Sequence, residues 1–126
     1  MYAGMSWPVL FHVGFVEEYR TLARPVQDEI AAMAELLRAM GPSLKRPYAD
    51  TLKGSRFANM KELRFDADDG VWRLAYAFDP ERKAILLVAA DKSGVSAARF
   101  YKTLIAKADA RLAAHLEELK NRSAKT

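Results

Sequence analysis

Met60-Lys61-Glu62-Leu63-Arg64-Phe65, a turn at Asp66–Gly70, and then Val71-Trp72-Arg73-Leu74-Ala75-Tyr76-Ala77-Phe78 form the stretch whose reading decides the fold. In its second half Trp72, Leu74, Tyr76 and Phe78 recur at every other position, the period of a strand with one buried face. In its first half Leu63 and Phe65 share a parity in the same way. Asp79-Pro80-Glu81-Arg82 then reads as a turn. Ala84 to Ala90 is apolar on both parities and so is expected to be a central strand. Together these runs predict a three-stranded meander.

Toward the N-terminus, Trp7, Val9, Phe11 and Val13 alternate with Pro8, Leu10 and His12. A further strand is expected there, with His12 on its surface. Phe15, Tyr19 and Leu22 have helical spacing across Gly14–Ala23. Pro25 suits the first turn of a second helix, whose apolar stripe would be Val26, Ile30, Met33, Leu37 and Met40. Gly41-Pro42 stops it, glycine taking the cap and proline being unable to continue. Residues 42–58 read as a long loop, broken by a short turn or strand near Thr51–Lys53. Loops of that length in small domains are often functional. Toward the C-terminus, Ser93–Ser96 introduces a helix to about Leu119 with the stripe Phe100, Leu104, Ala108, Leu112, Leu116 and Leu119. His115 lies on its flank. The polar tail Lys120–Thr126 is expected to fray.

The order strand, two helices, three strands, helix implies an α+β fold: a small antiparallel-rich sheet carrying two N-terminal helices and one long C-terminal helix. All three helices are expected on one sheet face, leaving the other partly open. The 126 residues suit one domain, 1–126, with a core of about residues 7–119. Met1 to Pro8 lacks the basic and apolar regions of a secretory signal, and Met5 offers an alternative start. No apolar run approaches the ~18 residues of a membrane helix. With no cysteine, disulfides and thiolate metal sites are excluded. Two distant histidines, His12 and His115, make a zinc site improbable. A cytoplasmic protein without metal or cofactor is the expectation.

The net charge of +4 decides little, but its distribution says more. Arg38, Lys45, Arg46, Lys53, Arg56, Lys61 and Arg64 face only Asp50 and Glu62 within the same span. Such a local excess recruits phosphates, though a solvated basic loop would show it too. Strand parity is sharper. Glu62 and Arg64 point away from Leu63 and Phe65, and Arg73 points away from Trp72 and Leu74. Arg64 and Arg73 are therefore expected on the same face of neighbouring strands, within reach of one another. Like charges so placed repel. Either an anion sits between them or each pairs with a carboxylate, Glu62 or a turn aspartate among Asp66, Asp68 and Asp69. Lys61 has the parity of Leu63 and belongs at the rim. Lys92 follows the central strand, where loops often carry function. Tyr101 opens the last helix beside Phe100. No nucleophile elbow, phosphate loop or zinc-protease motif occurs.

Gly41-Pro42-Ser43-Leu44, Arg46-Pro47, Leu52-Lys53-Gly54-Ser55, and above all Asn59-Met60-Lys61-Glu62-Leu63-Arg64 resemble the phage-derived, HigB-like branch of the RelE/ParE superfamily of toxins. Trp72 to Pro80, Ala84 to Val88, Asp91-Lys92-Ser93 and Phe100-Tyr101 continue the likeness, which runs from about Trp7 to Leu119. The resemblance implies a type II toxin–antitoxin system and metal-independent endoribonuclease activity on mRNA, usually on the ribosome. Such an mRNA interferase drives the RNA 2′-hydroxyl against the adjacent phosphate. That chemistry needs cationic donors for the growing oxyanion charge and proton transfer at the attacking and leaving oxygens. On this resemblance Arg64 and Arg73 stabilise the phosphate. Lys92 and Tyr101 are further catalytic candidates, and Lys53, Arg56 and Lys61 are RNA-binding ones. The general base stays unassigned, because tyrosine would need a strongly lowered pKa and Ser93-Gly94 stands where some relatives have histidine. The implied partners are a helix-turn-helix antitoxin, mRNA and the ribosome, without membrane or small-molecule cofactor. Two rivals remain: a ParE-like gyrase poison, against which Arg64 and Arg73 argue, and a non-catalytic prophage-derived binding protein.

Overall fold

The computed structural model describes residues 6–124, so the alternative start at Met5 and the last two tail residues lie outside the described residues. The elements are β1 (Val9–Phe11), α1 (Val13–Thr21), α2 (Arg24–Met40), β2 (Ala49–Thr51), β3 (Lys61–Ala67), β4 (Gly70–Phe78), β5 (Ala84–Asp91) and α3 (Ala97–Ala124). Five strands form one sheet in the order β1-β5-β4-β3-β2. The pairs β2–β3, β3–β4 and β4–β5 are antiparallel, and β1 lies parallel to β5.

The meander forms as its pattern requires. β3 and β4 are joined by Asp68 and Asp69, both at positive φ, the backbone that matches strand twist in a two-residue hairpin. At the β4–β5 turn, Asp79 Oδ1 accepts from the Glu81 and Lys83 amides at 2.9 and 3.0 Å. Its other oxygen meets His115 Nε2 at 2.8 Å, pinning the turn to α3. β5 is an interior strand, as its two-sided apolarity demands.

Other elements shift. β1 is only three residues long, and His12 is the N-cap of α1, its Nδ1 accepting from the Gly14 amide at 3.0 Å. In α2 Val26, Ile30, Met33 and Leu37 are buried, but Met40 is exposed as the helix ends. Gly41 takes φ +56°, and a Cβ there would run into the Trp7 ring. The loop is broken by a short 3-10 turn at Gly41–Ser43 and by β2, a strand two residues earlier than expected. α3 runs on to Ala124, so residues 120–124 of the supposed frayed tail are helical.

The α+β class holds, but the helices do not share one face. Leu63, Phe65, Leu74, Tyr76 and Leu86 pack with Phe15 of α1 and with Ile30 and Leu37 of α2. On the opposite face Ala75, Ala77, Ile85, Leu87 and Val88 pack with Phe100, Leu104, Ala108 and Leu112 of α3. The reason is written in the second parity of β4 and β5: alanines and branched aliphatics cannot be left wet, and the small Ala75 and Ala77 let α3 approach closely. A β-bulge between Ala75 and Tyr76 lets β5 turn both Leu87 and Val88 toward α3. What stays open is a cleft where α3 begins, beside the short edge strand β2. No helix among the described residues is long and apolar enough to cross a membrane.

Candidate active site

The cleft has a volume of about 490 Å³ and lies between β2, β3 and the first turns of α3. Arg46, Lys53 and Arg64 supply its positive charge, Asp50 and Glu62 its negative charge, and Tyr101 one wall. β3 delivers Glu62 and Arg64 to this side of the sheet because Leu63 and Phe65 are held on the other by α2. β2 pairs with β3 in the register Asp50↔Glu62, which carries Asp50 to the same face.

Arg64 and Arg73 are direct cross-strand partners. They share a face, as parity predicts, yet their surroundings differ. Arg64 is partly exposed, and its closest carboxylate among the described residues is Asp50, at 3.8 Å. Arg73 is buried beneath α3, which corrects the expectation of two arginines on an open face. Its Nη1 donates to the Trp72 carbonyl at 2.9 Å and its Nε to the Tyr101 hydroxyl at 3.3 Å, with Glu62 Oε1 at 3.9 Å. The turn aspartates pair with neither. The Tyr101 hydroxyl in turn donates to Glu62 Oε1 at 2.9 Å. Lys92 reaches over the Tyr101 ring, its Nζ 5.8 Å from the centroid. Arg73 and Tyr101 thus meet at Glu62, with Arg64 opposite Arg73 on the paired strand and Lys92 beside the Tyr101 ring. Arg64, Glu62 and Tyr101 line the cleft, whereas Arg73 and Lys92 lie outside its lining.

The RNA-binding candidates are not so gathered. Lys53 lines the cleft. Arg56 lies outside the cleft lining, with its guanidinium over the Phe57 ring. Its loop is tied to α3 where Ser55 Oγ and the Arg56 amide donate to Asp109. Lys61 has the parity of Leu63 and stands opposite Tyr76, whose ring packs on the α2 side. It therefore points away from the cleft, as a rim residue of the other face.

Electrostatics divides the acids of the cleft. Asp50 is held below the ordinary carboxylate range, chiefly by the Arg46 guanidinium at 2.7 Å and next by the Thr51 amide. Glu62 is pushed above that range by burial, which outweighs the Tyr101 hydroxyl bond and the attraction of Arg73 and Arg64. Tyr101 is also pushed up, mainly by burial, so its phenol keeps its proton and is a poor base. Sequence reasoning took Glu62 as a counter-ion and Asp50 as an opposing charge, and it counted Arg46 in the basic cluster without making it a site residue. The parity of Glu62 with Arg64 and the four-residue spacing of Arg46 and Asp50 were the available signals. Arg46 and Arg64 converge on one oxygen of Asp50, the arrangement that two guanidiniums would also present to a phosphate oxygen.

Residues 17–113 match the model of the family described as "Phage derived protein Gp49-like". The chain is 39% identical over 101 residues to "Putative toxin HigB2" of Mycobacterium tuberculosis, covering 79% of this chain and 50% of that protein. It is 42% identical over 90 residues to "Putative toxin HigB3" of the same organism, covering 71% and 76%. The chain thus spans half the length of the first of these relatives and about three quarters of the second. A mutant of the E. coli toxin RelE in the free state superimposes with a TM-score of 0.58 at 14% identity, over 82% of this chain and 97% of that one. A chain of the archaeal RelE-RelB complex from Pyrococcus horikoshii OT3 gives 0.52 at 17%, over 72% and 100%. At these identities the two structures speak for the fold, and the sequence matches speak for kinship. The chain belongs to the phage-derived Gp49-like family, HigB-like in sequence and RelE-like in fold.

Proposed function

We propose that this chain is the toxin of a type II toxin–antitoxin pair, a cytoplasmic, single-domain, metal-independent endoribonuclease that cleaves mRNA on the ribosome and is silenced by a helix-turn-helix antitoxin. The toxin names of the two mycobacterial relatives support the first part, and the RelE-RelB complex supports an antitoxin partner. The observation that carries the chemistry is the cleft itself, where Arg46, Lys53 and Arg64 face one wet space of nucleotide size.

In this reading Arg64 and Arg46 stay anchored on Asp50 and turn their remaining guanidinium donors to a scissile phosphate. Charge grows on the non-bridging oxygens as the 2′-oxygen attacks, and guanidinium donors already in place stabilise it without reorganisation. Arg73 acts from below, as the cation that keeps Glu62 and Tyr101 in register, and Lys92 backs the Tyr101 ring. Lys53, with Arg56 beyond the cleft, tracks the flanking backbone. Lys61, on the far face, is left outside the RNA path.

Expression in the absence of antitoxin should arrest growth and shorten cellular mRNA. In a reconstituted translation reaction, the purified chain should cut mRNA to leave 2′,3′-cyclic phosphate and 5′-hydroxyl ends. Intact mRNA under arrest of growth, with DNA supercoiling inhibited instead, would replace this reading with the gyrase one.

A further inference from the structure

The ribonuclease reading needs a group to take the 2′-hydroxyl proton, and neither histidine stands in the cleft. His12 Nδ1 is spent on the α1 cap, and His115 Nε2 on Asp79 at the other end of α3. Among the acceptors in the cleft, Asp50 has Oδ1 on the Thr51 amide and Oδ2 between Arg46 and Arg64, and its lowered pKa makes it a weak base. Tyr101 donates its proton to Glu62 and is itself pushed up. Lys53 is an exposed ammonium with no acceptor to offer. Glu62 remains.

Resting on that reading, we propose that Glu62 is the general base, and that Tyr101 is the positioning residue that aims it. Glu62 Oε1 is fixed by the Tyr101 hydroxyl at 2.9 Å, with Arg73 Nε at 3.9 Å from the same oxygen. Its Oε2 carries no hydrogen bond to any described residue, and the Glu62 residue lines the cleft. One oxygen is thus anchored and the other is left for substrate, the division of labour a base needs. Arg64 follows Glu62 by two residues on the same strand and the same face, so the phosphate it grips lies beside the carboxylate.

The step balances without a further reactant. The 2′-oxygen forms a bond to phosphorus as its proton passes to Glu62 Oε2. The phosphorus–5′-oxygen bond breaks, and the leaving 5′-oxygen takes a proton from solvent water. Glu62 then returns its proton to solvent, leaving a 2′,3′-cyclic phosphate and a 5′-hydroxyl. The groups facing Glu62 are Arg64 on its own strand, Asp50 from β2, Arg73 from β4 and Tyr101 from α3. Burial outweighs their net attraction and raises the carboxyl above its ordinary value, the direction that makes it a stronger base.

The test is single-turnover cleavage of mRNA positioned on ribosomes, followed from acid to neutral pH, with wild type, E62Q and Y101F. E62Q keeps the shape and the hydrogen bond from Tyr101, and its denaturant midpoint, read beside the rate, separates lost chemistry from weakened folding now that Arg73 has no carboxylate partner. The cleavage rate of E62Q is expected to fall about 100-fold or more with mRNA affinity unchanged, and its acid limb should disappear. Y101F removes a donor that favours the carboxylate, so its acid limb should move to higher pH. E62Q cutting at the wild-type rate with the wild-type pH profile would overturn the assignment while leaving the ribonuclease reading intact. A wild-type protein that cuts no mRNA would overturn both.

Discussion

Arg64 and Arg73 are cross-strand partners, yet truncating them should abolish activity by different routes. The Arg64 side chain is 32% exposed, and its nearest carboxylate among the described residues, Asp50, lies 3.8 Å away. Exposed pairs of this kind are worth about 0–1 kcal/mol, so Arg64→Ala should scarcely move the unfolding midpoint. If Arg64 is aimed at charge that develops on phosphate, its loss should cost about 100- to 1000-fold in cleavage rate, or about 3–4 kcal/mol. Arg73 is 7% exposed and engaged by Tyr101, Trp72 and Glu62. Removing one partner of a buried pair costs about 3–5 kcal/mol. The lower end applies here, because Glu62 can take up a proton when its cation leaves. Arg73→Ala should thus lose activity through weakened folding, and Arg64→Ala while fully folded. Denaturant unfolding followed by tryptophan fluorescence, with Trp72 beside Arg73 as reporter, separates the two, alongside single-turnover cleavage. An Arg64→Ala protein within about 10-fold of the wild-type rate would refute the assignment of Arg64 to transition-state charge. One destabilised as deeply as Arg73→Ala would refute the electrostatic reasoning itself.

Glu18 joins α1 to α3 through Arg111 at 2.7 Å and Lys107 at 3.1 Å, which hold its carboxyl below the ordinary range. A depressed folded-state pKa means its stabilisation is fully present above the ordinary carboxylate pKa and is lost as pH falls through the lowered value. Glu18→Gln should flatten that part of the stability-versus-pH curve, and curves of identical slope in urea titrations would contradict it. Asp109 receives both Ser55 Oγ and the Arg56 amide, so Asp109→Ala should free the loop that carries Lys53 at a cost of about 1–2 kcal/mol. Faster amide exchange across residues 53–57 would show it, and unchanged protection there would not fit.

Much of this architecture is legible because strands and helices write their periods into the chain. The stripe Phe100, Leu104, Ala108, Leu112 and Leu119 is buried as spaced, and Leu116 partly so. Leu63, Phe65, Leu74 and Tyr76 are buried together on one face. The direct opposition of Arg64 and Arg73 also follows from parity and a short hairpin. Less legible were the element ends, where local chemistry overrode period. His12 left the strand pattern to cap α1, and Ala49–Thr51 paired with β3 although it shows no alternation of its own.

Periodicity by itself determined which residues share a face, and so that Glu62, Arg64 and Arg73 emerge together. It could not say what covers that face, because a run of small apolar residues such as Ala75 and Ala77 has the same period whether it meets solvent or a helix. Only the tertiary structure, by laying α3 across those alanines and bringing Tyr101 onto Glu62, buried one arginine and left the other partly exposed at the cleft. Burial changes the dielectric around each charge, and that is a property of the packed chain.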